Sequence, residues 1–112
     1  FRPFAPSVLY EYSDLLFDGN GFKEQYPFRF MQYSLPVKNN LVPAAVHVDE
    51  TSRPQFVYKD TNPLYYKLIG KFYEKTGIPA LLNTSFNLKG EPIVNSPQDA
   101  YNIFIRSGTD ML

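Results

Sequence analysis

The segment from Pro63 to Thr76 carries a full set of signals for one amphipathic helix, and any fold must be built around it. Asn62 suits the N-cap, Pro63 suits the first helical position because its missing amide is not needed there, and Gly77 suits a left-handed C-cap. Helical spacing places four apolar residues on one face: Tyr65, Leu68, Ile69 and Phe72. The apolar run at 78–82 follows at once and predicts a buried strand.

The other predicted elements are short, because turn residues and prolines interrupt the chain repeatedly. A second helix is predicted to begin at Ser96-Pro97, with Asp99 in its first turn, and to end at Gly108. The remaining predictions are an extended segment at 4–10, a helical turn at 11–17, and strands at 28–33, 44–48 and 55–58. Helices interleaved with short strands indicate an α+β (α/β) fold with one mixed sheet.

Composition excludes several classes of site. The chain has 112 residues, enough for one hydrophobic core, and residues 1–112 are interpreted as a single domain. It contains no cysteine, which rules out a disulfide scaffold, a thiolate nucleophile, a cysteine-ligated zinc and an iron–sulfur cluster.

Net charge argues against two kinds of partner. Eleven Lys and Arg balance eleven Asp and Glu, so no basic field indicates nucleic acid or an anionic membrane. No apolar run approaches the ~20 residues that span a bilayer, and no signal-peptide pattern opens the chain. We therefore expect a cytoplasmic protein that binds neither nucleic acid nor membrane.

The first candidate site is the polar run that follows the strand predicted at 78–82. Asn83, Ser85 and Asn87 present amide and hydroxyl groups that donate hydrogen bonds to phosphate or carbonyl oxygens. Ligands of open α/β sheets collect outside the carboxyl ends of strands, which is where this run lies. Alternatively, the same side chains only satisfy the backbone of a capped loop.

Two arginines form the second candidate. Arg53 precedes a rigid proline, and Arg2 lies between aromatic residues and prolines, so both are held for bidentate contact with an anion. Each could instead be a structural or surface arginine. His47 and Asp49 share one face of an extended segment, but a metal site needs a further ligand and an orienting shell that the sequence does not supply.

At these residues the sequence resembles the C-terminal region of the O-carbamoyltransferase family, which includes nodulation and antibiotic carbamoyltransferases. The matching pieces fall in family order and span nearly the whole chain, whereas 17–40 carries no strong match. They are RPFAPSVL at 2–9, PAAVHVDETSRPQ at 43–55, NPLYY at 62–66, TGIP at 76–79 and NTSFNLKGEPIV at 83–94.

The resemblance implies a YrdC-like mixed, twisted sheet with flanking helices that binds carbamoyl phosphate and ATP, with Mg²⁺ accompanying the ATP, and forms a carbamoyl-adenylate. A larger N-terminal actin-like domain, which holds the metal, would pass the carbamoyl group to an acceptor hydroxyl. The family's Ser-x-Asn element maps onto Ser85 and Asn87, and its anion-binding arginines map onto Arg2 and Arg53. The implied catalytic residues are Arg53, Ser85 and Asn87. The implied ligand-binding residues are Arg2, His47, Arg53, Asn83, Ser85 and Asn87, with no metal site in this part of the protein.

The resemblance also implies that the domain is truncated at its N-terminus, so we expect the isolated chain not to complete carbamoyl transfer. Missing edge strands would leave a sheet edge open, which favours a homodimer. One alternative is a non-catalytic docking module with the same fold, and another is a stand-alone enzyme of the threonylcarbamoyl-adenylate type. Convergence of Arg2, Arg53, Ser85 and Asn87 on one concave site would favour the enzyme over the module.

Overall fold

The computed structural model describes residues 4–19, 21 and 26–112, which form short strands, short 3-10 helices and two longer α-helices. The strands are β1 (Ala5–Leu9), β2 (Leu35–Pro36), β3 (Thr51–Ser52), β4 (Gln55–Val57) and β5 (Ala80–Asn83). The α-helices are α1 (Ser13–Leu16), α2 (Pro63–Thr76) and α3 (Pro97–Ser107), and the 3-10 helices are Tyr10–Tyr12, Tyr26–Phe30 and Pro43–Ala45. The predicted α+β class is confirmed.

The main sheet is mixed, as predicted, and has the strand order β4-β1-β5. β1 lies in the centre, parallel to β4 and antiparallel to β5, and all of its residues are buried. β2 and β3 form a separate antiparallel pair. Because β5 is an edge strand of the described sheet, self-association through that edge stays a prediction.

The two faces of the sheet are covered by different parts of the chain. On one face, Val8 and Phe56 pack against the rings of Phe17 and Phe28, and the Phe56 and Phe28 ring centroids lie 5.4 Å apart. On the other face, Leu9 and Val57, each the next residue along its strand, pack against Ile69 of α2. This alternation follows from the two-residue period of a strand, which turns neighbouring side chains to opposite faces.

Both longer helices have the predicted caps. The Asn62 side chain accepts a hydrogen bond from the Tyr65 amide, and Gly77 has a left-handed φ of 73°. In α3, the Ser96 side chain accepts from the Asp99 amide. Of the predicted apolar stripe on α2, only Ile69 is buried, whereas Leu68 remains 56% exposed.

Two predicted strands are wrong. The segment predicted as a strand at 28–33 contains the end of the 3-10 helix Tyr26–Phe30, in which Phe28 faces the core and Phe30 faces solvent. Alternating apolar and polar residues occur in both conformations, so the pattern could not separate them. The strand predicted at 44–48 is the 3-10 helix Pro43–Ala45, where Pro43 occupies the first turn. A proline favours that position because its φ is fixed and it has no amide to satisfy.

No helix in the described ranges is both long enough and apolar enough to cross a membrane.

Candidate functional site

A cleft of about 330 Å³ opens at the carboxyl end of β5, the place predicted from the sequence. Antiparallel pairing brings the start of β1 beside the end of β5, and the parallel strand β4 begins next to the same edge. The cleft is lined by Phe4, Ala5, Met31, Arg53, Asn83, Thr84 and Ser85. Three predicted site residues, Arg53, Asn83 and Ser85, therefore converge on one concave surface.

A polar cluster in the sheet supports the cleft from beneath. The Ser7 hydroxyl donates to Gln55 Oε1 at 2.8 Å, and Asn83 Nδ2 lies 3.3 Å from both Ser7 Oγ and Gln55 Oε1. Gln55 Nε2 donates in turn to the Arg29 carbonyl at 3.2 Å. Because buried polar groups are costly unless they are paired, these bonds fix the orientation of Asn83 at the cleft wall.

Arg53 is the one cationic residue among the described residues that line the cleft. Its residue is exposed, and the following Pro54 is fully buried, so the backbone that carries the guanidinium is anchored in the core. Among the described residues, no carboxylate or other side chain is hydrogen-bonded to Arg53. A guanidinium presents a planar fork of donors that matches phosphate or carboxylate oxygens, and here that fork is available to a ligand.

Ser85 and Asn87 form a joined pair in the loop after β5. The Ser85 hydroxyl donates to Asn87 Oδ1 at 2.5 Å. Asn87 Nδ2 contacts the carbonyls of Leu88 and Glu91, at 3.3 and 3.0 Å. Asn87 therefore shapes the loop, as the alternative interpretation of this run proposed, while Ser85 lines the cleft.

His47 does not line the cleft. Its Nδ1 lies 3.2 Å from the Thr51 hydroxyl, and its backbone closes the turn that leads into β3. Asp49 belongs to the same turn, where the hydrogen bond from the Thr51 hydroxyl lowers the pKa of its carboxyl. Within the described parts of the chain, no group of three or more His, Cys, Asp or Glu residues could hold a metal ion.

Arg2 lies outside the described residues, so its predicted place at the site stays a prediction. The sequence interpretation missed Met31, which lines the cleft with a left-handed φ of 55°. It also gave no role to Ser7 or Gln55, although Gln55 is two residues from Arg53 in an extended segment. That spacing signals a shared face, whereas the conformation of Met31 leaves no mark in the sequence.

The sequence comparisons agree with the resemblance seen in the motifs. The model of the family described as carbamoyltransferase C-terminus matches residues 1–112. The chain is 44% identical over 115 residues to the nodulation protein NolNO of Sinorhizobium fredii, covering 100% of the chain and 17% of that protein. It is 34% identical over 100 residues to the 3'-hydroxymethylcephem-O-carbamoyltransferase of Amycolatopsis lactamdurans, covering 88% of the chain and 18% of that enzyme.

An archaeal protein of undescribed activity, MJ1058 of Methanocaldococcus jannaschii, is 42% identical over the whole chain, which covers 18% of it. The chain thus spans about a fifth of the length of the curated relatives it matches. The family match extends over every motif that forms the cleft, from the segment before β1 to the loop after β5. The chain belongs to the carbamoyltransferase C-terminus family.

Proposed function

We propose that this chain is the part of an O-carbamoyltransferase that binds carbamoyl phosphate and ATP and joins them into a carbamoyl-adenylate. The observation that carries the proposal is that Arg53, Asn83 and Ser85 line one cleft, with no carboxylate among the described residues that line it. Of the four residues expected to converge, Arg53 and Ser85 line this cleft, Asn87 does not, and Arg2 lies outside the described residues. Family membership supports the same reaction class, because two relatives are named as O-carbamoyltransferases.

Arg53 would act as an electrostatic clamp. Carbamoyl phosphate and ATP repel each other strongly, so bringing them together requires a fixed cation near their phosphates. The guanidinium of Arg53 has no competing partner among the described residues, and its anchored backbone keeps it in place. It would therefore hold phosphate oxygens in the ground state and stabilise the charge that builds up during transfer.

Asn83 and Ser85 would orient the carbamoyl group. Both side chains line the same cleft and carry no negative charge that would repel an anion. Because the Ser85 proton goes to Asn87 Oδ1, the Ser85 hydroxyl oxygen would accept a hydrogen bond from the carbamoyl amide. Asn87 would act as a positioning residue, because it accepts the Ser85 hydroxyl and ties the loop to the Glu91 carbonyl. Well-oriented reactants of this kind reach effective molarities of ~10⁵ M or more.

The proposed reaction releases two products besides the adenylate. Water cleaves carbamoyl phosphate into carbamate and inorganic phosphate, and a carbamate oxygen then bonds to the α-phosphorus of ATP as pyrophosphate leaves, which balances the atoms. Mg²⁺ would arrive on the nucleotide, since it prefers carboxylate and phosphate oxygens and the described cleft residues offer amide and hydroxyl groups. An N-terminal actin-like domain would then pass the carbamoyl group to an acceptor hydroxyl.

The proposal is tested by isotope-edited NMR titration of the chain with carbamoyl phosphate. We expect shifts at Arg53 and at 83–89, and at least tenfold weaker binding after Arg53→Ala, because a charge-assisted hydrogen bond contributes about 1.5–3 kcal/mol. Arg106→Ala is the matched control, since Arg106 is an exposed arginine paired with Glu91 outside the cleft. Equal affinities of the Arg53 and Arg106 variants would overturn the proposal.

One observation favours the alternative of a docking module. Leu64 and Leu68, one turn apart on α2, are 81% and 56% exposed, and they border a surface hollow that is almost entirely apolar. Such a face is typical of a surface that meets another domain. If carbamoyl phosphate causes no shifts at millimolar concentration while Leu68→Lys prevents association with the N-terminal domain, the docking function replaces the enzymatic one.

A further inference from the structure

The hydrogen bonds beneath the cleft run in one direction, and a backbone carbonyl fixes that direction. Gln55 Nε2 donates to the Arg29 carbonyl at 3.2 Å, and a backbone carbonyl can only accept. The side-chain amide of Gln55 is therefore not turned over, because the reversed amide would set two acceptors against each other. Its Oε1 is left for Ser7 and Asn83 and accepts from both, at 2.8 and 3.3 Å.

This order leaves Asn83 with one side-chain atom for a ligand. Its Nδ2 carries two hydrogens, and two acceptors at 3.3 Å, Ser7 Oγ and Gln55 Oε1, take them. Its Oδ1 has no hydrogen-bond partner among the described residues. Because Asn83 lines the cleft, the group that it offers to a ligand there is an acceptor, and its donors are already used.

Ser85 is held in the same state by a second chain of bonds, which also ends on backbone carbonyls. Asn87 Nδ2 donates to the Leu88 and Glu91 carbonyls, at 3.3 and 3.0 Å. Its Oδ1 is thereby fixed as the acceptor of the Ser85 proton, at 2.5 Å. The cleft thus presents two neutral acceptors, on residues two apart in the chain, together with the donor fork of Arg53.

We propose that these two acceptors select the amino group of carbamoyl phosphate, and that Gln55 is the positioning residue that makes Asn83 an acceptor. This inference rests on the proposed function, which supplies the ligand. An amino group has two N–H donors, one for each acceptor, while the phosphate group goes to Arg53. Acetyl phosphate has the same shape but carries a methyl group in place of the amino group. It would leave both acceptors without a partner, which is how a polar site rejects an isostere.

Acetyl phosphate provides the test, because a change of charge in the cleft affects both phosphates alike and cancels in the ratio of their Kd values. In isotope-edited NMR titrations, we expect the parent chain to bind carbamoyl phosphate about tenfold more tightly than acetyl phosphate, as two neutral hydrogen bonds would give. Asn83→Ala should reduce this preference to about threefold, because Ser85 remains as the other acceptor.

Two variants of Gln55, which does not line the cleft, test its positioning role. Gln55→Leu should also reduce the preference to about threefold, because the Asn83 amide is then free to turn. Gln55→Glu keeps an acceptor for Asn83 Nδ2 and should retain the preference of about tenfold. Gln98→Leu, at an exposed glutamine of α3, is the matched control and should retain it as well.

The orientation of Asn83 can also be measured without a ligand. In the parent chain, the Nδ2 protons of Asn83 should show nuclear Overhauser contacts to the side chain of Ser7, because the two groups are hydrogen-bonded. These contacts should persist in Gln55→Glu and weaken in Gln55→Leu. Absence of the contacts in the parent chain would mean that Asn83 does not present an acceptor, and the inference would fail.

The outcomes separate this inference from the proposed function. If both phosphates bind equally well and both depend on Arg53, the anion site stands and the selection of the amino group fails. If folded Gln55→Leu keeps the full preference, Gln55 does not position Asn83. If carbamoyl phosphate does not bind at all, the proposed function fails and this inference fails with it. A preference that falls in Asn83→Ala and Gln55→Leu and persists in Gln55→Glu supports both.

Discussion

The side-chain amide of Asn83 donates a hydrogen bond to the side-chain carbonyl of Gln55, at 3.3 Å, across the intervening strand β1. Ser7 of β1 completes the contact, since its fully buried hydroxyl donates to the same Gln55 oxygen at 2.8 Å. All three strands of the main sheet thus contribute to one polar cluster beneath the cleft. Ser7 is buried and Gln55 and Asn83 are half-buried, so a slip of the strands would leave polar groups without partners, and the cluster therefore supports strand register as well as side-chain orientation.

The first prediction concerns the centre of that cluster. Gln55→Leu removes the acceptor of two hydrogen bonds and leaves polar atoms of Ser7 and Asn83 short of a partner, so it should lower the free energy of unfolding by about 1–3 kcal/mol. Urea denaturation measures the change. Gln98→Leu is the control, because Gln98 is exposed on α3 and its loss should cost within about 0.5 kcal/mol. Equal losses would mean that the cluster does not stabilise the sheet.

The second prediction concerns the loop that carries Ser85. Asn87→Ala removes the contacts from its amide to the Leu88 and Glu91 carbonyls, so the loop should open more often. We expect faster hydrogen exchange at the Glu91 and Val94 amides, which bond to carbonyls within the same loop.

Asn95→Ala provides the comparison for that loop variant, because Asn95 is exposed and has no hydrogen-bond partner among the described residues. It should leave both exchange rates unchanged. If Asn87→Ala also leaves them unchanged, Asn87 does not shape the loop, and its role as a positioning residue for Ser85 is lost.

The helices were predictable from the sequence because their signals are local. As predicted, Asn62 and Gly77 are the N-cap and C-cap of α2, and Ser96 and Gly108 are those of α3. Each cap depends on hydrogen bonds or a backbone angle within a few residues, so its signal lies within the same short stretch. The extended segment predicted at 4–10 contains the central strand β1. It was predictable because its prolines disfavour a helix.

The other local structures and the composition of the cleft depend on contacts between distant parts of the chain, which local sequence does not reveal. Phe28 of the 3-10 helix Tyr26–Phe30 stacks on Phe56, a residue far along the sequence, and local sequence carries no signal of that contact. The cleft was predicted in part: Arg53, Asn83 and Ser85 meet there, whereas His47 lies in a separate turn. Spacing indicates that two residues share a face, but only the order of strands decides which faces meet.

The third prediction compares two glycines, one inside α2 and one at its C-cap. Gly70 is helical, and a Cβ built there meets no atom within 4 Å, so Gly70→Ala should stabilise the chain by about 0.5–1 kcal/mol. Gly77 is the C-cap with a φ of 73°, so Gly77→Ala should destabilise it by about 1 kcal/mol. Thermal unfolding followed by circular dichroism gives both changes. If both variants change the unfolding midpoint in the same direction, the assigned end of α2 is contradicted.

The fourth prediction is a loss of stability at alkaline pH that depends on Tyr66. Its hydroxyl donates a hydrogen bond to the Glu11 carboxylate, which raises the pKa of Tyr66 from 10.0 to about 12. The unfolded chain therefore releases this proton at lower pH than the folded chain does. The stabilisation is fully present below pH 10 and is lost as the pH rises through about 12.

Tyr66→Phe isolates this effect, because it keeps the ring and removes the titrating hydroxyl. The difference in unfolding free energy between the parent chain and Tyr66→Phe should be constant from neutral pH to pH 10 and should then shrink up to about pH 12. Urea denaturation followed by far-ultraviolet circular dichroism measures it. Tyr101→Phe should show no such change, since the Tyr101 hydroxyl has no partner among the described residues. A difference for Tyr66→Phe that stays constant across this range would show that the bond to Glu11 does not persist in solution.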